Sequence, residues 1–315
     1  MLLLTEAELQ KSMLYSEINL KHLYSVMHLK NRTSYVWLKP WVVCFSAALF
    51  FFYEFIQMNF FNSLSTEIVN EFSLTPEQLG YLSAFYFYAN LIFLFPAGLL
   101  LDRFSTRRII LTTMLICITG TFLFSLSQNF WQAAFSRFIT GIGSAFCFLS
   151  AIRLASRWFP IEKMALIAGL IVTLAMAGGI VAQTPITMLS EWIGWRHTIL
   201  IDGMVGIILF AVIFIFVQDY NCENKNFTEN TLSPPSPINF WLNLKLSYLN
   251  PQNWFCGIYT SLMNSPIAIL GSLWGSLYLE KKHFMEPKNA ATISAMIFIG
   301  TIIGSPFFGA FSPKG

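Results

Sequence analysis

Gly98-Leu-Leu-Leu-Asp102-Arg103-Phe-Ser105-Thr106-Arg107-Arg108 is the stretch that decides how this chain is organised. It packs four charges, Asp102, Arg103, Arg107 and Arg108, into a short connection between two long apolar segments, 78–101 and 108–127. About 20 mainly apolar residues suffice for a helix to cross a bilayer. A connection this short therefore forces the two segments into an antiparallel membrane hairpin. Its basic residues already act as a topology signal, because loops rich in Lys and Arg stay in the cytoplasm.

Composition points the same way. Hydrophobic residues make up 55% of the 315, charged residues 11%, and mean hydropathy is +0.59. Soluble domains carry about 25% charged residues, so this chain lacks the polar surface to stay in water. Its 32 Phe, 9 Trp and 11 Tyr suit a lipid-facing surface with interfacial aromatics. The net charge of +3 is small and scattered, which excludes the basic footprint of a nucleic-acid binder. Cys44, Cys117, Cys147, Cys222 and Cys256 form no C-x-x-C pair, and four lie in apolar spans. They read as small buried hydrophobes, neither a disulfide framework nor a zinc site. Glu6, Glu8, Lys11, Glu17 and Lys21 interrupt the N-terminus, so it does not read as a cleavable signal peptide.

Eight stretches have the length and composition of membrane spans: 40–62, 78–101, 108–127, 130–156, 163–189, 195–217, 251–279 and 290–312. Placing the N-terminus inside puts fourteen Lys and Arg on inner segments and four on outer loops, with Arg137 left in the membrane. The loop after the seventh stretch runs against that trend with Lys281, Lys282 and Lys288. Between the sixth and seventh stretches lies a polar break, 218–250, with the run Ser233-Pro-Pro-Ser-Pro237. It reads as an irregular linker. Near the end of the chain, Gly304-Ser-Pro-Phe-Phe-Gly309-Ala-Phe-Ser312 repeats the pattern Phe95-Pro-Ala-Gly98-Leu-Leu-Leu101.

The hairpin loop resembles G-x-L-x-D-R-x-G-R-R/K, the loop between helices 2 and 3 of the major facilitator superfamily of transporters. Gly98, Leu100, Asp102, Arg103 and Arg107 match, while Ser105 and Thr106 replace the usual Gly and Arg. Arg137-Phe-Ile-Thr-Gly141-Ile-Gly143 resembles the family's fourth-helix R-x-x-x-G-x-G pattern. Trp158-Phe159-Pro160, Gly194-Trp195-Arg196 and Trp274-Gly275-x-x-Tyr278-Leu279 extend the resemblance over residues 37–312. It implies an all-α membrane protein: a cytoplasmic segment 1–36, a complete N-terminal six-helix half at 37–217 and a cytoplasmic linker at 218–250. The first two helices of a C-terminal half follow at 251–315. In the repeat the Asp expected after Gly309 falls on Pro313, and four helices of the family's usual twelve are not in this sequence.

Ionisable side chains in a bilayer are costly and usually face a cavity or a partner. Glu54 and Arg137 are the two such residues singled out here, about 12 Å and about 10 Å from the outer ends of their helices. In the superfamily, helices one and four line the central cavity, so the resemblance implies a Glu54–Arg137 pair that is either structural or engaged with substrate or protons. Arg153 and Arg157 lie near the cytoplasmic end of the fourth span and read mainly as snorkelling residues. Tyr86, Tyr88, Asn90, Gln57 and Asn59 read as filler or interhelical hydrogen-bonding groups. Gln183, before Pro185, and Asn264, before Pro266, are the further cavity candidates, because a Pro frees carbonyls where a transporter helix bends around its ligand. Gly98, Asp102, Arg103, Arg107 and Arg108 form the conformational-switch motif that the resemblance implies.

No G-x-S-x-G, H-E-x-x-H or Walker-type loop is present, and the four His are widely separated, so neither an enzyme nor a metal site is indicated. The reading is secondary active transport of a small organic solute, an organic anion or amino-acid-like compound, with no cofactor. Its partners are the bilayer and a coupling ion, H+ or Na+, in a bacterial inner membrane. The alternative is a non-transporting remnant, receptor or subunit built on a transporter half.

Overall fold

The computed structural model describes residues 39–219, 245 and 248–311. The segment 1–36, most of the 218–250 break and Pro313 lie outside the described residues. Every regular element described is helical. The first span is α1 (Lys39–Ser63), followed by the short α2 (Ser65–Phe72). The hairpin is α3 (Pro76–Arg103) and α4 (Thr106–Ser125), and α5 (Phe130–Trp158) is the fourth span. The fifth span breaks into α6 (Met164–Ala182) and α7 (Thr184–Ile193), and the sixth is α8 (Trp195–Phe216). Beyond the linker come α9 (Pro251–Pro266), a π-helical segment (Ile267–Trp274), α10 (Gly275–His283) and α11 (Pro287–Phe311). A bilayer offers no water to unpaired backbone groups, which is why spans this apolar close their hydrogen bonds internally as helices.

Seven of the eight expected stretches are helices long and apolar enough to span a membrane. The remaining stretch, 251–279, is helical but not uniformly so. Pro266 lacks the N–H its turn needs, and the eight residues after it are wound as a π-helix. The fifth span breaks for a related reason. Pro185 cannot donate to the preceding turn, and the backbone leaves helical geometry at Gln183 (φ −88°, ψ −106°). Helix α2 falls in what the sequence reads as a plain outer loop. It forms because Ile68 and Leu64 bury fully against the bundle and the Ser65 hydroxyl donates to the Asn62 carbonyl (3.0 Å).

Helix α5 packs along both α3 and α4, α4 packs on α8, and α11 lies along α6 and touches α7. The α3–α5 approach depends on Gly141: a Cβ there would stand 2.2 Å from the Tyr86 carbonyl oxygen. Small residues let membrane helices come this close. Gly194 turns the corner between α7 and α8 with φ +80°, a conformation that favours glycine. The turn brings Arg196 to the end of α4, where it donates to the carbonyls of Ser125 (2.9 Å) and Ser127 (2.5 Å) and pairs with Glu71 (3.0 Å). Apolar side chains such as Leu91, Ile92, Ile208 and Ile215 point outward, as a lipid-facing surface requires. Cys44, Cys117 and Cys147 are free and buried, as expected of small hydrophobes. Cys256 departs from that expectation and is exposed on α9.

Candidate functional site

Glu54 and Arg137 are both buried in the middle of the bundle, 4% and 1% exposed. They do not form the direct ion pair that the sequence suggests. Tyr86 of α3 stands between them, its hydroxyl donating to Glu54 Oε1 and its ring lying 4.6 Å from the Arg137 guanidinium. Phe60 and Phe61 stack on the same guanidinium at 5.3 Å each, so three ring faces share its charge. Arg137 spends one donor on the Gln57 carbonyl (2.8 Å), and its Nε and Nη2 have no hydrogen-bond partner among the described residues.

Gln57 extends this node to a carboxylate that sequence reasoning missed. Its side-chain amide donates to Asp202 Oδ2 on α8 and accepts from Thr121 on α4 (2.8 Å). Thr121 in turn accepts from the Tyr53 hydroxyl (3.3 Å). The signal for Asp202 was in the sequence, since it is an acid inside an apolar span like Glu54. One connected set of groups therefore runs from Asp202 through Gln57, Arg137 and Tyr86 to Glu54.

A cavity of about 410 Å³ opens beside it, between α1, α3 and α5. Glu54, Tyr86, Asn90, Ser144 and the Cys147 thiol are the hydrogen-bonding side chains in its wall; Arg137 does not line it. The Asn90 amide donates to the Ser144 hydroxyl (2.6 Å), which fixes the polar end of the cavity.

At the end of the bundle that carries the 63–77 connection, a buried polar network joins α1 and the α6–α7 break to the residues beyond the linker. Gln183, fully buried, donates to the Gly271 carbonyl (2.8 Å) and accepts from Asn62 (3.1 Å) and Ser63 (3.2 Å). Asn62 also donates to Gly271 (3.2 Å) and to the Ser276 hydroxyl (3.1 Å), and accepts from the Ser276 amide (3.0 Å). Gly271 sits in the π-helical segment. Nearer the surface Thr66 donates to Glu280 (2.8 Å) and Ser190 to Glu67 (2.8 Å). Asn264 takes no part: it is exposed on α9 and donates to Thr260 one turn back (2.8 Å). The prolines marked the two breaks correctly, but at the second the polar group on offer is a backbone carbonyl.

At the opposite end, the 98–108 loop is tied to its neighbours by side chains outside it. Asp102 pairs with Arg153 of α5. Asp219, just past α8, accepts from the Ser105 hydroxyl and from the Arg107 amide (2.9 Å), and lies 3.7 Å from Arg157. Arg107 reaches the Phe214 carbonyl (2.7 Å) and lies over the Phe214 ring at 5.4 Å. Arg153 and Arg157 are thus engaged with carboxylates, a role beyond snorkelling. Arg103 and Arg108 are exposed, and a Cβ on Gly98 would meet nothing within 4 Å.

A sequence profile of the Major Facilitator Superfamily matches residues 43–315. The chain belongs to this superfamily. Curated members similar to it include the nitrate/nitrite transporter NrtP of Nostoc punctiforme, 29% identical over 210 residues, or 61% of this chain and 40% of that one. The D-galactonate transporter of Escherichia coli is 29% identical over 159 residues, 49% of this chain and 36% of its own length. The chain spans less than half the length of the curated relatives it matches. Among solved structures, a bacterial homologue of the human lysosomal transporter Spinster, inward-facing and occupied, superposes with a TM-score of 0.66 at 19% identity. That match covers 88% of this chain and 63% of the other, and shows the shared superfamily fold. Membership, together with seven helices long and apolar enough to cross a bilayer among the described residues, makes this a multi-pass membrane protein.

Proposed function

We propose that the chain carries a small organic solute across a bacterial inner membrane by alternating access, driven by a gradient of H+ or Na+, with its N-terminus in the cytoplasm. In this reading 37–217 is one moving half, 218–250 its cytoplasmic linker, and 251–315 the start of the other half. One observation supports it above the rest. The larger polar network between the two halves, Asn62, Gln183, Gly271 and Ser276, lies at the end that carries the 63–77 connection. Toward the other end the halves meet through two single bonds, Thr173 to the Ile302 carbonyl (3.4 Å) and Ser305 to the Gly169 carbonyl (3.1 Å). Closure that is stronger at one end of a charged cavity than at the other is what a state of alternating access requires.

The substrate expectation divides at Glu54. The relatives named for nitrate and D-galactonate handle anions, and a bare anion would need Arg137, whose guanidinium is covered by three rings. The cavity wall offers a carboxyl instead, which favours the amino-acid-like half of the expectation. The test is uptake into proteoliposomes under imposed H+ or Na+ gradients, with labelled phenylalanine and labelled succinate as probes. Gradient-dependent accumulation that stops when the gradient is collapsed is the expected result. Binding without flux would replace transport by the receptor or subunit reading.

A further inference from the structure

The buried charges of the spans do not balance. Among the described residues the buried charged side chains are Glu54, Arg137 and Asp202, so in ionised form the acids outnumber the base by one. A buried charge without a counter-charge is costly. Arg137 is shared between them: its guanidinium donates to the backbone of Gln57, whose side chain serves Asp202, and its ring partner Tyr86 serves Glu54. The set is short of one positive charge, and Glu54 is the member that reaches the cavity wall.

The rest of the wall is aromatic. Phe51, Phe55, Phe87 and Phe148 line it, with Phe51 edge-on to Phe55 at 4.9 Å and inclined to Phe148 at 5.4 Å. Ring faces attract cations and also accept an apolar body. Asn90 and Ser144 add hydrogen-bonding groups to the same wall as the carboxyl, beside the Tyr86 hydroxyl and the Cys147 thiol. The volume lies in the range that holds a small organic ligand.

We propose that this cavity binds a primary amine with an aromatic or branched apolar body, its ammonium group on Glu54 and its body against the phenylalanines. The proposal rests on the transport reading only for the ligand's fate; binding itself is an equilibrium property and is tested alone. Asp202 acts here at a distance, through Gln57 and Arg137, as a positioning residue that keeps the set one positive charge short.

The experiment is calorimetric titration of the purified full chain in detergent with three probes of similar size: 2-phenylethylamine, 2-phenylethanol and 3-phenylpropanoate. The amine is expected to bind about tenfold tighter than the alcohol, the worth of one ion pair reinforced by ring faces, and the acid weakest. Glu54→Gln should bring the amine down to the alcohol while leaving the alcohol within about twofold. Asp202→Asn, which leaves the cavity wall untouched, should also narrow the amine's advantage, and it serves if Glu54→Gln fails to fold. Phe148→Ala should weaken amine and alcohol together. An acid that binds as tightly as the amine, no binding of any probe, or an amine advantage that survives both carboxyl substitutions would overturn the proposal. Flux of the same probes into proteoliposomes is scored separately. Amine binding without flux sinks transport and keeps this site; acid flux without amine binding does the reverse.

Discussion

Tyr86 serves Glu54 with its hydroxyl and Arg137 with its ring, and two substitutions separate those jobs. Tyr86→Phe removes a hydrogen bond to a buried carboxyl and should cost about 1.5–3 kcal/mol of stability, read from thermal unfolding in detergent. Tyr86→Leu should also abolish the communication between the charges. In a double-mutant cycle, Glu54→Gln and Arg137→Gln should couple by about 0.5–3 kcal/mol in the native background and by much less once Tyr86 is Leu. Equal coupling in both backgrounds would remove Tyr86 from the circuit. Arg137→Lys should not substitute, because an ammonium cannot offer a flat face to three rings. Glu54 and Arg137 were legible because charge stands out in an apolar span. Asp202 obeys the same rule and could have been read with them. Tyr86 could not, since one tyrosine in a chain this rich in aromatics carries no local sign of what it will touch.

At the scale of elements, the hairpin loop is held from outside, by Arg153 on one flank and Asp219 on the other. The Asp102 side chain is 72% exposed, so its ion pair is worth at most about 1 kcal/mol. That still moves a two-state equilibrium severalfold. Asp102→Asn should therefore change the transport rate more than the half-saturating substrate concentration, and Asp219→Asn should do so more strongly, because it releases two donors at once. Unchanged rates in both variants would leave the loop with a topological role alone. The loop's position and charges were visible in the sequence. Its real partners were not, because Arg153 and Asp219 come from other helices and only packing brings them near. The same limit explains α2, which owes its existence to the surface on which Ile68 buries, and Asn264, whose proximity to Pro266 said nothing about which side of α9 it occupies.

For the molecule as a whole, orientation and switching are the quantities to measure. With the native cysteines replaced, Phe104→Cys should be labelled only from the cytoplasm and Ser73→Cys only from outside, both side chains being exposed. Phe104 serves better than Ser105, which is tied to Asp219. Labelling of Phe104→Cys in sealed cells by an impermeant reagent would invert the topology. The closure at the 63–77 end should also respond to pH. Burial pushes the Glu67 carboxyl above its ordinary range against the pull of the Ser190 hydroxyl, and the neighbouring Glu280 and Glu191 push it further. Burial likewise raises Glu280, against Thr66 and Lys281. A raised acid favours its neutral form, so the sealed arrangement takes up protons relative to the open one. Closure is strongest at low pH and weakens as pH rises through those raised values. Ala182→Cys, buried beside Ser63, should therefore label faster as pH rises, after normalisation to the exposed Ser73→Cys. The double change Glu67→Gln with Glu280→Gln should flatten that dependence.

The π-helical segment also makes a genetic forecast. An α-helix takes about 3.6 residues per turn, and a wider turn consumes more, so Ile267–Trp274 holds surplus chain. Loss of a single codon inside a span normally swings everything beyond it to the wrong side. Deleting the exposed Ile269 should instead let the segment relax to ordinary winding, with α10 still facing its neighbours. Such a deletion should express far better than the removal of one residue from the unbroken α4. The Gly271 carbonyl, drawn back into the helix ladder, would no longer be free to receive Asn62 and Gln183.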